Sequence, residues 1–166
     1  MNITEQELRN LAEQLGGYLM SHNMKLATAE SCTGGWIAKI ITDVPGSSAW
    51  FTASVVSYSN EAKQSLLGVD EQTLKEFGAV SRETVLDMTD GLLLNTDANV
   101  ALSVSGIAGP DGGSDDKPVG LVWLSWGERG KSVYANSFNF DGDRGQVRKQ
   151  SVKQALNCLL NLLVCD

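Results

Sequence analysis

Residues 28–36 read TAESCTGGW, and they join a short β-type run to a helical pattern. The joint carries two hydroxyls, a thiol and two glycines in Ser31, Cys32, Thr33, Gly34 and Gly35. A residue between a strand and a helix sits among backbone N–H groups that lack helical partners. The helix dipole adds partial positive charge there. Three uses are open. Ser31 or Thr33 can cap the helix. The N–H groups can cradle a phosphate. Or Ser31 can attack a carbonyl while the same donors hold the resulting oxyanion. Gly34 and Gly35 permit close approach of a ligand to the backbone. No Gly-Lys-Ser/Thr follows, which excludes a Walker-type P-loop.

A serine nucleophile needs a base. The one histidine, His22, falls at the polar end of the first helical pattern, so a Ser-His-Asp triad rests on a poorly placed residue. A lysine kept neutral by burial or by neighbouring positive charge is the other standard base. Lys63 lies one helical turn into YSNEAK, just after a strand-type run, where ligand sites gather in α/β sheets. Tyr58 ends that run and could orient the lysine or relay a proton. The plain reading makes Lys63 a solvated helix lysine and Tyr58 a strand-end aromatic. Cys32 is the rival nucleophile, although neighbours in extended chain tend to point opposite ways.

Two further stretches could bind a ligand. SVSGIAGPDGG sets glycines at 106, 109, 112 and 113 after a strand-type run, either as a plain loop or as backbone that approaches a ligand. DGDRGQVR places Arg144 at the start of the last helix, against the dipole. An anion would justify that placement, because the forked guanidinium suits phosphate; a solvated arginine is the alternative.

The elements that must position these groups can be read from periodicity. Thr4 and Glu7 form a capping box ahead of a helix marked by Leu8, Leu11, Leu15 and Leu19. KLATAE, WFTASVVSYS and ANVALSVSG read as strands. Helices follow from Gly35 to Asp43, through NEAKQSLLG and EQTLKEFG, and after Ser81, which caps without a capping box. IAGPDGGSDDKPVG is a loop. LVWLSWG and SVYANSFNF suggest a hairpin around ERGK, and a long helix closes the chain. Strands separated by helices, plus one hairpin, predict an α/β protein: a three-layer α/β/α sandwich with a mixed, mainly parallel sheet, as one domain over 1–166.

Composition narrows the function. The 166 residues are 42% hydrophobic and 20% charged, as in a globular domain. The net charge of −7 and the lack of a basic run argue against nucleic acid and anionic lipid as partners. Three cysteines and one histidine give no metal-ligand spacing and no even disulfide framework, and free thiols fit a reducing cytoplasm. The polar N-terminus is not a signal peptide, and no apolar run nears the roughly 20 residues of a membrane span. The apolar end ALNCLLNLLVC reads as core, with the face of a homo-oligomer as the alternative.

Taken together, TAESCTGGWIAKIITDVPGSSAWF, VVSYSNEAKQSLLGV, GAVSRETV, SVSGIAGPDGGSDDKPVGLVW and FDGDR resemble, in order and spacing, the CinA C-terminal domain family, and in particular its stand-alone amidase members. The resemblance covers about residues 5 to 160. It implies hydrolysis of the carboxamide of nicotinamide mononucleotide to nicotinate mononucleotide and ammonia, in pyridine nucleotide recycling, with no metal or other cofactor. It places the family's nucleophile on Ser31 and its lysine base on Lys63, with Tyr58 nearby. Substrate contacts fall on Ser105, Gly106, Gly109 and Arg144. Independently of the resemblance, the turn Thr33, Gly34 and Gly35 is expected to meet the substrate, with the N–H groups around Thr33 and Gly34 as oxyanion donors. Longer family members add an N-terminal domain whose activity is not expected here.

Overall fold

In a computed structural model, which describes residues 2–165, the periodic segments form where their patterns place them. Helix α1 (Glu5–Ser21) opens with the capping box: Glu7 N–H donates to Thr4 Oγ1, and Thr4 N–H donates to Glu7 Oε2 at 2.7 Å. Strand β1 (Leu26–Glu30) leads into α2 (Trp36–Thr42), then a 3₁₀ turn (Ser47–Ala49) and strand β2 (Phe51–Val56). Three helices follow, α3 (Asn60–Leu67), α4 (Glu71–Phe77) and α5 (Arg82–Asn95). Ser59, Asp70 and Ser81 cap them, each accepting a backbone N–H. Strand β3 (Val100–Gly106), the hairpin β4 (Leu121–Glu128) and β5 (Val133–Asn139), and α6 (Arg144–Cys165) complete the chain.

The five strands form one sheet in the order β2-β1-β3-β4-β5. β1 lies parallel to both β2 and β3, whereas β3–β4 and β4–β5 are antiparallel. The expectation of a mainly parallel sheet is corrected to an even balance. The tight hairpin makes β5 antiparallel to β4, and the long loop after β3 returns the chain beside β3 in the reverse direction.

Alternation along the strands sends side chains to opposite faces. Leu26, Val100, Leu102, Val104, Val122 and Leu124 pack with α1, α2 and α6 in one core cluster. Ala27, Ala29 and Ala101 pack with α3, α4 and α5 in another. Small residues on that face let α5 lie close to the sheet, and the buried Thr89 hydroxyl bonds to Ser103 Oγ (2.8 Å) and Ser125 Oγ (2.9 Å). In α6, Ala155, Leu156 and Leu159 are fully buried, so the apolar C-terminal end is mainly core. Among the described residues, no helix is long and apolar enough to cross a membrane.

β1 is the point where the connections diverge. The chain leaves it over one face to β2, then returns over the other face to β3. The carboxyl ends of strands at such a switch form a natural crevice. Ser31 follows β1, Ser57 and Tyr58 follow β2, and Gly106 ends β3.

Candidate active site

The backbone fixes Ser31 at the crevice floor, where its N–H donates to the Val104 carbonyl at 3.0 Å. Ser59 caps α3 through the Ala62 N–H, and this start places Lys63 on the first turn, facing back towards β1. Lys63 is 1% exposed. Its Nζ donates to the Ser57 carbonyl at 2.7 Å and lies 3.1 Å from Ser31 Oγ. Burial pushes Lys63 below the ordinary lysine value, opposed by the neighbouring Cys32. No carboxylate bonds to Lys63 among the described residues, so no paired acid offsets its desolvation. The Ser57 hydroxyl is buried without a partner among those residues; the backbone of this residue, not its side chain, holds the lysine.

Glu30, the last residue of β1, is fully buried and organises the turn. Its Oε1 accepts from the Thr33 hydroxyl (2.7 Å) and the Ile37 N–H (2.9 Å), and its Oε2 from the Ala38 N–H (3.0 Å). The carboxylate therefore occupies the start of α2, which has no side-chain cap of its own at Gly35. The Ile37 and Ala38 N–H groups are thus taken, which weighs against the phosphate-cradle alternative. Thr33 is buried and engaged with Glu30 rather than presented to a ligand.

Gly34 and Gly35 adopt φ of +60° and +93°, conformations in which a side chain is strained. Their service is to the turn. The Gly34 N–H donates to the Ser31 carbonyl at 3.0 Å, so it is not a free oxyanion donor. The Thr33 N–H has no hydrogen-bond partner among the described residues, and the Cys32 N–H meets its own thiol, a weak acceptor. Cys32 is 6% exposed, and burial pushes its thiol up to about 12, so no useful thiolate forms near neutral pH.

A pocket of about 210 Å³ brings Ser31, Lys63 and Tyr58 together with Ser105, Gly106 and Arg144. Thr33, Gly34, Gly35 and Gly109 are not on its wall. Tyr58 is 63% exposed, and its hydroxyl accepts from Arg144 Nη2 at 3.0 Å; Lys63 is oriented by Ser57 instead. Arg144 Nη1 donates to the Gly109 carbonyl at 2.7 Å, which ties the Gly-rich loop to α6. Asp143 offsets the arginine's unfavourable place by accepting the Gln146 N–H at 2.9 Å. The Ser105 hydroxyl donates to the Ala79 carbonyl at 2.8 Å. Gly106 is small for a packing reason, because a Cβ there would lie 2.6 Å from Val122 Cγ2.

His22 stays at the end of α1, stacked on Tyr18 at 4.0 Å, with its ring nitrogen against the Ser21 hydroxyl. The triad reading has no structural basis. Among the described residues, no group of three or more His, Cys, Asp or Glu is placed to hold a metal. A larger hollow of about 490 Å³ beside Trp36, Asp141 and Gln146 contains neither Ser31 nor Lys63.

Sequence reasoning missed Glu30, the Ser57 carbonyl and Arg148, whose guanidinium bonds to the carbonyls of Cys32 and Thr33. Arg148 had a usable signal, since it lies four residues after Arg144 and shares its helix face. An acid directly before a strand-to-helix turn was the signal for Glu30. A backbone carbonyl leaves no trace in a sequence.

The CinA C-terminal domain model matches residues 8–163. The chain is 50% identical over 158 residues to the nicotinamide-nucleotide amidohydrolase PncC of Escherichia coli K12, covering 95% of each chain. It is 52% identical over 155 residues to the Pseudomonas putida protein of the same name, covering 93% of this chain and 96% of that one. The crystal structure of the competence/damage inducible protein CihA from Agrobacterium tumefaciens superposes with a TM-score of 0.92 at 41% identity, covering 99% of this chain and 98% of the other. Matches of this extent, over the elements that build the Ser31–Lys63 crevice, identify the chain as a member of the CinA C-terminal domain family.

Proposed function

We propose that this chain is a nicotinamide-nucleotide amidohydrolase working through a serine–lysine pair. The observation that carries the reading is the buried Lys63 amine 3.1 Å from Ser31 Oγ, with no acid bonded to it among the described residues. The neutral amine donates one N–H to the Ser57 carbonyl, which leaves its lone pair to accept the Ser31 proton. Ser31 Oγ attacks the carboxamide carbon as that proton moves to Lys63. The negative oxygen is held by the Cys32 N–H, from the one residue of the Cys32–Gly35 turn on the pocket wall, in place of the Gly34 N–H that serves the turn. Lys63 returns the proton to the nitrogen, ammonia leaves, and the acyl-serine remains. Water, deprotonated by Lys63, cleaves the ester and restores Ser31. Arg144 uses two of its five donors on Gly109 and Tyr58, and the remainder suit the ribotide phosphate.

The substrate assignment is supported by the activity for which relatives about half identical over nearly the whole chain are named. The scaffold fits a three-layer α/β/α sandwich, because one core cluster holds α1, α2 and α6 and the other α3, α4 and α5. A non-catalytic phosphate-binding module is disfavoured by Glu30, whose carboxylate fills the donors such a module would use.

The test is ammonia release from nicotinamide mononucleotide, with and without a chelator. Equal turnover in both is expected. Binding without turnover in the intact chain would overturn the reading.

A further inference from the structure

We propose that Ser105 determines specificity by separating the carboxamide substrate from its acid product: its hydroxyl offers the pocket lone pairs and no proton. The inference rests on the amidase reading above. The family resemblance implies a contact at Ser105; the geometry gives that contact its polarity, and hence the group it selects. Pairing of Glu30 with Val104, and the Ser31 N–H on the Val104 carbonyl, set Ser31 beside Ser105, on strands about 4.8 Å apart. Both hydroxyls face the helices α3, α4 and α5: Ser31 Oγ meets Lys63 of α3, and Ser105 Oγ meets the Ala79 carbonyl between α4 and α5. Ser105 and Ala79 both stand on the wall of the Ser31–Lys63 pocket. A carboxamide carbon attacked by Ser31 therefore carries its substituents within reach of Ser105.

The Ser105 proton is committed. The residue is 1% exposed, and its hydroxyl donates to the Ala79 carbonyl at 2.8 Å. The backbone before Ala79 is held in turn, because the Gly78 carbonyl accepts from the Ser81 hydroxyl (2.9 Å) and the Thr84 hydroxyl (2.7 Å). Among the described residues, the Ala79 carbonyl has no second donor, so turning the Ser105 proton elsewhere would strand it. A hydroxyl tied in this way still accepts, through its lone pairs. A carboxamide NH2 brings two donors and fits it. A carboxylate brings lone pairs alone and is repelled, and Lys63, neutral in this reading, supplies no cation to compensate. The acid released from the acyl-serine is thus turned away by the same oxygen that admits the amide.

The test is calorimetric titration of the Ser31→Ala chain, which cannot turn over, with three ligands. These are nicotinamide mononucleotide, nicotinate mononucleotide and the methyl ketone analogue, in which CH3 replaces NH2. The acid and the ketone should each bind about 10- to 100-fold more weakly than the amide, since neither offers an N–H to the fixed acceptor. Adding Ser105→Ala should weaken the amide by a similar factor and bring the three ligands within about threefold of one another. Adding Ser105→Thr instead, which keeps the hydroxyl, should preserve the ranking. Equal weakening of all three ligands by Ser105→Ala would mark a merely structural role and overturns the inference alone. So does an acid or ketone that binds the Ser31→Ala chain as tightly as the amide; this comparison needs no change at Ser105 and decides even where Ser105→Ala folds poorly. A wild-type chain that releases no ammonia from nicotinamide mononucleotide overturns the amidase reading, and this inference with it.

Discussion

Lys63 Nζ lies 3.1 Å from Ser31 Oγ although 32 residues separate them in the chain. Strand β1 brings the hydroxyl to the crevice and the first turn of α3 brings the amine. Both are buried: Ser31 is 8% exposed and Lys63 1%. A hydroxyl and an amine so placed form a proton-transfer pair only if the amine is uncharged.

The two candidate nucleophiles are separable by single substitutions. Ser31→Ala should reduce ammonia release by a factor on the order of 10⁴–10⁶ and leave the far-ultraviolet spectrum unchanged. Cys32→Ala should retain turnover within a few-fold, because the buried thiol is held protonated. A dead Cys32→Ala with an active Ser31→Ala would reverse the assignment.

The depressed pKa of Lys63 predicts two pH effects of known sign. Activity should rise with pH as the amine loses its proton, and Lys63→Met should abolish that limb together with turnover. Stability is affected as well. Between its lowered folded-state value and the ordinary value of about 10.4, Lys63 is neutral in the folded chain and protonated in the unfolded one. The unfolded state then binds more protons, so stability rises with pH across that window and is lowest below it. Lys63→Met should therefore raise the thermal midpoint at pH 7 by a few degrees, with the gain shrinking towards pH 10. Calorimetry at the two pH values reads this directly, and a midpoint lowered at pH 7 would contradict it.

Glu30→Ala should be among the costlier single changes. It leaves the Ile37 and Ala38 N–H groups and the Thr33 hydroxyl without their acceptor at a buried site. Loss of such partners costs roughly 1–3 kcal/mol per group, so urea unfolding should show a drop of several kcal/mol if little water enters. Glu30→Gln keeps one acceptor oxygen and should fall between. A change under about 0.5 kcal/mol, the range of ordinary surface substitutions, would remove Glu30 from its organising role.

Arg144→Ala tests the phosphate contact. Hydrogen bonds to charged groups contribute roughly 1.5–3 kcal/mol, so KM for nicotinamide mononucleotide should rise about 10- to 100-fold. The value for the riboside, which lacks the phosphate, should change far less. Equal effects on both would mean that Arg144 acts through Gly109 and Tyr58, by shaping the loop and the pocket.

The sequence by itself determined the local structure and the roster of reactive groups. Capping residues and periodicity are short-range signals, so Thr4 and Ser81 mark helix starts legibly. The order of motifs carried the family, and with it Ser31 and Lys63. Only the tertiary structure decided what those groups touch. Whether Lys63 is solvated or buried depends on how α3 packs beside β1, a contact that no local pattern encodes. Glycines 34, 35 and 106 looked alike as ligand-approach residues, yet two serve a left-handed turn and one the passage of β4. The balance of parallel and antiparallel pairing depended on where a long loop returns the chain. The carboxylate of Glu30 is local to the turn it holds, but the guanidinium of Arg148 reaches the same turn from 115 and 116 residues away. Hydrogen bonds across such separations are set by the fold's geometry, which residue types constrain but do not specify.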